Sequence, residues 1–495
     1  MSKFYITTPI YYSNGVPHIG HAYSSLLADT IANYHRLQKD DVRFSTGVDE
    51  NSQKVVESAT ALSMDVMEYA DMMAEKHRAV WDGIGISYTD FIRTTESRHR
   101  DFVQKVLQKS YDRGDIYEWV YEWLYCIGCE SFKKEIDLIA GKCPDHPNKP
   151  LEHLKEKNYF FWLSKYQDQI LKFYEEHPDF VKPRSRYNEI IEFVKGGLED
   201  FSISRETNKF GIPLPFDPGQ VTYVWYDALF NYLTLVQDDE AKWWPADMHV
   251  IGKDIVKFHG IYWPAMLWSA GYEAPKQLLT TWYFTVDGQK MSKTIGNVID
   301  PVAYTEKYSR DALVLYLFTA FPIGEDGDFD QDQAILQFNA KLANNLGNLL
   351  NRFITLALKA GGRIENMNVW NVWNEIINKY ISRLEMHNLK GSLELVFECA
   401  DEVNKYVDTM APWKLSIEND NEHNSLDQIL FRVASDLRYI GLMLLPFFPV
   451  KMRELLNRIG APYDDDRSLT ENLQLPKEQF LVTEKGEPLY MRVSN

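Results

Sequence analysis

The sequence predicts an α/β protein: a parallel-sheet domain split by an insertion, followed by an all-α helix bundle. Three observations predict it. Short β-type runs alternate with helix-period apolar patterns over residues 1–115 and again over 223–332. Between them, residues 116–222 change to short aromatic strands with cysteines among turn residues. Beyond residue 333 every apolar stripe has helical spacing, up to a tail at 464–495.

The chain opens with a strand around Phe4-Tyr5-Ile6-Thr7 and a turn at Ser13-Asn14-Gly15-Val16-Pro17. His18-Ile19-Gly20-His21 follows, and a helix is expected over about 22–39, with Leu26, Leu27, Ile31, Tyr34 and Leu37 on one face. Val42-Arg43-Phe44 reads as the second strand, with Asp49-Glu50-Asn51 on the loop beyond it. A second helix begins near Ser63, its expected cap, and Phe91-Ile92-Arg93 is a third strand. Thr95 is the expected cap of a helix ending at Gly114. After the insertion the α/β pattern resumes at Tyr223-Val224-Trp225. Strands follow at His249-Val250-Ile251-Gly252 and Leu278-Leu279, with a hairpin turning at Asp287-Gly288. Four stripes, led by Leu342, Ile377, Leu393 and Leu426, predict an antiparallel bundle that Pro446 and Pro449 close. The tail from Asp464 reads as polar and irregular.

Two stretches suit phosphate. The strand–turn–helix entry at His18–His21 predicts a helix N-terminus whose unpaired N–H groups and dipole favour an anion, with two imidazoles as further donors. Lys290-Met291-Ser292-Lys293-Thr294 puts two lysines on a short loop, where they can clamp a polyphosphate. A K-x-x-K alone reads equally as a solvated loop. In a parallel sheet, ligands bind beyond the C-terminal strand ends, where both His18–His21 and Asp49 fall. Separately, Cys126-x-x-Cys129 and Cys143-x-x-His146 can close a tetrahedral site. Without disulfide context this spacing reads as a structural zinc with no open coordination position. Cys399 reads as a core residue.

A net charge of −18 argues against a non-specific nucleic-acid binder and leaves room for a local basic face. No apolar run of membrane-spanning length occurs, and the first residues enter a strand at once, leaving no room for a signal peptide. With only four cysteines, a cytoplasmic protein is expected.

Together, His18-Ile19-Gly20-His21 and Lys290–Thr294 flanking an insertion resemble the paired signatures of class I aminoacyl-tRNA synthetases on a split Rossmann-like fold. The methionyl-tRNA synthetase family is resembled more narrowly, over nearly the whole chain. Its landmarks here are Pro9–Gly15, Thr46–Asn51, Tyr223–Ala228, Ile251–His259 and Ala411-Pro412-Trp413. Thr294 departs from the usual KMSKS, and Asn51 and Ser52 from a DEHG-like motif; Leu229 stands where some relatives have Pro. Isoleucyl, leucyl and valyl enzymes usually carry a larger editing insertion, and a cysteinyl enzyme carries a zinc-binding cysteine just before the first loop, where Thr7-Thr8-Pro9 has none.

The resemblance implies methionine activation with ATP and Mg2+, then transfer to initiator and elongator methionine tRNA. It assigns His18, Gly20, His21, Gly252, Asp254, Lys290, Met291, Ser292 and Lys293 to ATP, with His18, His21, Lys290 and Lys293 catalytic. It assigns Ile10, Tyr12, Asp49, Trp225, Ala228, Leu229, Tyr232, Ile255 and His259 to methionine. Read alone, Trp225, Leu229 and Tyr232 are ordinary core and His259 a satisfied core histidine. It implies a zinc-knuckle connective domain at 116–222 with Cys126, Cys129, Cys143 and His146 as ligands, Cys₃His where many relatives have four cysteines. The bundle at 333–463 becomes an anticodon-binding domain reading through Asn348, Arg352 and Trp413, although Trp413 could instead cap the bundle core. Arg205 is expected near the active-site rim. With no oligonucleotide-binding domain evident after the bundle, a monomer is expected.

Overall fold

The structure is a computed structural model of the 495-residue chain. It describes residues 2–129, 131–133, 138–139, 141–206, 210–282, 284–286, 288–291, 296–321, 327–365, 373–416 and 418–493. The first half runs β1 (Lys3–Tyr12), α1 (Ile19–Leu37), β2 (Asp41–Asp49), α2 (Gln53–Ala61), α3 (Val66–Gly83), β3 (Asp90–Arg93) and α4 (Ser97–Asp112). Strands β4 (Ile116–Cys126) and β5 (Leu151–Phe161) form a long antiparallel ribbon, Ile116 facing Phe161 and Cys126 facing Leu151. The short β6 (Val181–Lys182) follows. Then come α5 (Val224–Leu229), β7 (Met248–Gly252), β8 (Leu278–Thr281) and the hairpin β9 (Phe284–Val286) with β10 (Gln289–Lys290). The helical part begins after α6 (Arg310–Ala320). It contains α7 (Asn348–Lys359), α8 (Trp373–Glu385), α9 (Leu389–Met410), α10 (Asp420–Leu444) and α11 (Pro449–Arg458).

Among the described residues, six strands pair in parallel in the order β3-β2-β1-β7-β8-β6. Alternate side chains of each strand enter different cores, as period-two geometry requires. Ile6, Phe91, Val250 and Leu279 pack with α1, α3, α6 and the helical part. Tyr5, Ile92, Ile251 and Leu278 pack with α4, α5 and residues from the expected insertion. Helix α1 is buried on most sides because the sheet covers one face and the helical part the other. The strand order reverses between β1 and β7, so a crevice opens where the ends of β1, β2 and β7 meet. A register shift between Thr7 and Ile10 marks a bulge that re-aims the end of β1 towards this crevice.

Several local expectations change. Helix α1 starts three residues early because His18 caps it. Asp65, not Ser63, caps α3: its carboxylate accepts from the amides of Met67 and Glu68 (2.8 and 3.2 Å), while Ser63 takes the left-handed conformation (φ 54°). Glu96 occupies the N-cap of α4, and the Thr95 hydroxyl donates instead to Glu50. Pro449 opens α11 rather than closing α10, since a first-turn residue needs no N–H. The tail is not irregular throughout. Leu469–Gln474 is a helix with a Ser468 capping box, Gln479–Leu481 pairs with Arg363–Glu365, and buried Tyr490 donates to Asp311 (2.7 Å). Strand β6, inside the expected insertion, joins the main sheet beside β8. Among the described residues no helix is long and apolar enough to cross a membrane.

Candidate active site

His18 is the N-cap of α1, and the two imidazoles form a reciprocal capping box. The Gly20 amide donates to His18 Nδ1, and the His18 amide donates to His21 Nδ1 (3.1 Å each). An accepting Nδ1 is unprotonated, so in each neutral ring the proton sits on Nε2. Burial, reinforced by the neighbouring His18, pushes the His21 pKa well below its ordinary value, so this ring is uncharged at neutral pH. The expected free N–H groups of the helix start are not free. Ile19 donates to the Ile299 carbonyl (3.1 Å), Gly20 to the His18 ring, and His21 and Ala22 to the His18 carbonyl (2.8 and 3.1 Å). The amides of the first turn are therefore engaged within the protein, a correction to the expectation that they are unpaired.

Met291 reaches this cap from the other motif. A Cβ on Gly20 would lie 3.0 Å from Met291 Cε and 2.8 Å from His18 Cε1, so only glycine permits the approach. Met291 also packs with Val16 and Ile299 against the first core. Lys290 ends the short strand β10. Ser292, Lys293 and Thr294 lie outside the described residues. Gly252 ends β7 across the crevice, where a Cβ would stand 2.7 Å from Asp254 Oδ1; Asp254 itself is exposed.

Helix α5 brings Trp225, Ala228 and Leu229 to the same crevice. Ala228, Leu229, Tyr232 and His259 are buried, while Ile10, Tyr12, Trp225 and Ile255 are half-buried. Trp225 stacks on Phe258 at 3.9 Å with planes 7° apart. The His259 ring is fixed from both ends: Nδ1 donates to the Ile255 carbonyl (3.0 Å), and Nε2 accepts from the Tyr232 hydroxyl (2.8 Å). Burial lowers the His259 pKa to about 4, so it remains a neutral acceptor. Tyr232 in turn stacks on His249 at 4.2 Å, and His249 bonds Thr7 Oγ1 at 2.7 Å. The result is a rigid aromatic floor. Asp49 is buried at the end of β2 opposite Tyr12, and its carbonyl accepts from the Ser13 amide (3.1 Å).

Sequence reasoning gave no role to three residues here, Lys54, Glu50 and Asp227. Lys54, on the unexpected helix α2, lies 4.9 Å above the Tyr12 ring. Glu50 is fully buried and bonded by Arg93 Nε (2.9 Å) and Thr95, so its charge is neutralised within the protein. Asn51 donates to Asp227 (2.7 Å), also fully buried. The identity of Asp227's partner is a tertiary fact that no spacing in the sequence carries. Arg205 is buried within the insertion, 4.3 Å over the Tyr223 ring and bonded to the Ser204 carbonyl (2.7 Å).

The other expected sites stand elsewhere. Cys126, Cys129, Cys143 and His146 sit at the tip of the β4–β5 ribbon, their ligand atoms all within 4.8 Å of one another. Cys129 Sγ is 3.4 Å from Cys143 Sγ and 3.2 Å from His146 Nδ1. A Cβ on Gly128 would strike the His146 ring at 2.4 Å, so the turn is shaped around the imidazole. Three thiols and an imidazole converging this closely form a Cys₃His cluster consistent with a single zinc knuckle. At the helical part, the Arg352 guanidinium lies 5.2 Å over the Trp413 ring and 2.6 Å from Asp408. Trp413 is 47% exposed and Asn348 is exposed, which disfavours the core-cap reading of Trp413. Cys399 is buried in the first core, as expected.

Comparison with known proteins places this geometry in a family. The family model described as tRNA synthetases class I (M) matches residues 4–150 and 145–354. The methionine–tRNA ligase of Caldanaerobacter subterraneus is 41% identical over 99% of this chain and 79% of that protein. The methionine–tRNA ligase of Thermotoga maritima is 40% identical over 99% of this chain and 80% of that protein. The solved Mycobacterium tuberculosis methionyl-tRNA synthetase in complex with methionyl-adenylate superposes with a TM-score of 0.94 at 32% identity, covering 99% of this chain and 100% of that one. The apo form of that enzyme superposes with a TM-score of 0.87 at 30% identity.

Proposed function

This chain belongs to the class I methionyl-tRNA synthetases, and from that premise we propose how its own residues perform the reaction. It is a methionine–tRNA ligase. In the first step a methionine carboxylate oxygen attacks the α-phosphorus of ATP, forming methionyl-adenylate and expelling pyrophosphate. In the second a ribose hydroxyl of the 3′-terminal adenosine of tRNA attacks the acyl carbon and expels AMP. A carboxylate is already a nucleophile at neutral pH, so the first step calls for alignment and charge stabilisation rather than a base.

His18 and His21 supply that stabilisation as neutral Nε2–H donors to phosphate oxygens. Their Nδ1 atoms are held by backbone amides, so the rings are oriented before ATP arrives. Lys290 and Lys293 contact the β- and γ-phosphates during transfer, with Met291 reaching Gly20 from their loop and Ser292 assigned to the same nucleotide. Gly252 and Asp254 approach adenosine from the β7 side. Asp49 accepts from the α-ammonium group. The thioether packs against Ile10, Tyr12, Trp225, Ala228, Leu229, Tyr232, Ile255 and His259, a surface suited to an apolar, polarisable group. Asn348, Arg352 and Trp413 read the anticodon of initiator and elongator methionine tRNA by hydrogen bonding and stacking.

Cys126, Cys129, Cys143 and His146 would hold a structural Zn2+, which ties the ribbon tip together. Mg2+ would accompany the nucleotide phosphates. We assign the chain to the cytoplasm and to a monomeric state, with catalytic halves at 1–115 and 223–332, an insertion at 116–222 that lends Val181–Lys182 to their sheet, and a helical domain at 333–463 against which the tail at 464–495 packs.

The observation that carries this reading is the contact of Met291 with Gly20 at the crevice lined by the aromatic floor. Pyrophosphate–ATP exchange measured with each standard amino acid tests it. Methionine alone should drive exchange; exchange driven by another amino acid, or by none, would overturn it.

A further inference from the structure

The loop after β2 departs from the family's usual motif at Asn51, and the structure gives this residue a specific task. Asn51 Nδ2 donates to the Thr94 carbonyl (3.2 Å) and to Asp227 Oδ2 (2.7 Å). Thr94 follows the end of β3, and Asp227 lies on α5 between Trp225 and Ala228. One amide thus ties together the loop that carries Asp49, the end of β3 and the helix that builds the side-chain pocket. All three tied residues are at most 5% exposed. We infer that Asn51 and Asp227 are a positioning pair, which sets the spacing between the ammonium acceptor Asp49 and the thioether pocket on α5, and so governs methionine affinity. The inference rests on the methionine-activating function proposed above.

The surroundings separate this pair from the phosphate chemistry. Neighbouring Glu50 turns away to Arg93 and Thr95, so it does not compete for Asn51 or supply a second charge to the pocket. The 2.7 Å bond from Asn51 Nδ2 to Asp227 Oδ2 links the loop to the helix. Burial raises the Asp227 pKa to about 8, far above the ordinary carboxyl value. Neither residue lies in the His18–His21 cap, so breaking the link should leave KM for ATP unchanged.

Steady-state exchange kinetics test the pair. Asn51→Ala should raise KM for methionine about ten- to a hundredfold, the loss expected for a buried bond to a carboxyl group, with KM for ATP unchanged. Asn51→His restores a ring donor at the same position and should recover most of that loss. The exchange Asn51→Asp with Asp227→Asn reverses the donor and should bind methionine more tightly than Asn51→Asp alone, in which two carboxyl groups face each other. This comparison decides the matter even where Asn51→Ala fails to fold. An equal rise in KM for both substrates, or no gain from the reversed pair, would overturn the inference. Wild-type protein lacking methionine-dependent exchange would instead overturn the functional reading beneath it.

Discussion

Replacing Gly20 by alanine should separate catalysis from stability. The added methyl carbon would stand 2.8 Å from His18 Cε1 and 3.0 Å from Met291 Cε. Carbon atoms in ordinary contact are about 3.5–4.0 Å apart, so the overlap is close to 1 Å on the histidine side. The His18 ring must swing, and its Nδ1 then loses the Gly20 amide. Loss of an N-cap bond costs about 1 kcal/mol. Gly20 is in the first turn of a helix with ordinary backbone angles, where alanine returns up to about 1 kcal/mol. The two effects offset, and the melting temperature should stay within a few degrees of wild type. Catalysis has no such compensation. Moving a phosphate donor by about 1 Å lowers the rate roughly a hundredfold. Pyrophosphate exchange at saturating methionine and ATP, with calorimetry on the same preparation, measures both. A folded variant exchanging within about threefold of wild type would refute the idea that the His18 cap orients a phosphate donor.

Other perturbations reach the remaining sites. Trp413→Ala removes a half-exposed ring and should cost about 1–3 kcal/mol in kcat/KM for tRNA charging while leaving pyrophosphate exchange intact; equal losses in both assays would return the ring to a packing role. Purified protein should contain stoichiometric zinc by elemental analysis, and Cys143→Ser should lose it; metal-free protein with an unchanged ribbon by NMR would refute the knuckle. Burial raises the Asp436 carboxyl from the ordinary 3.8 to about 6 although Trp373 Nε1 donates to it at 2.9 Å. Between those values the folded chain keeps a proton that the unfolded chain has released. Stability therefore falls as pH rises through this window, and the penalty is complete above it. Asp436→Asn should accordingly stabilise the protein by about 3 kcal/mol at pH 8 and by little at pH 4, as denaturant titration at the two pH values would show; a pH-independent change would contradict the sign.

The sheet was legible because short β-type runs alternate with helices of clear period, and the split showed as a change of composition at Ile116. The phosphate motif was legible as residue types, yet its donors were not. A sequence does not reveal that Ile299 and the His18 ring take the amides of the first helical turn. Asn51–Asp227 spans most of the catalytic half of the chain, so no local pattern announces it. Helix α2, QKVVESATA, buries only Val55 and Ala59, too few apolar positions to show a period. The tail was misjudged for the same reason in reverse. Its few anchors, Phe480, Val482, Leu489 and Tyr490, are scattered among polar residues and gain meaning only from the surfaces they meet.

Imidazoles fixed through Nδ1 should meet the phosphate of a methionyl-adenylate formed here, and a crystal structure of this chain with methionyl-adenylate would show it. The phosphate should lie within hydrogen-bond reach of His18 and His21 Nε2, with both Nδ1 atoms still accepting from the amides of Gly20 and His18. The thioether should lie between Trp225, Tyr232 and His259. A phosphate held by the backbone amides of the first turn of α1, with the imidazoles turned away, would contradict this placement.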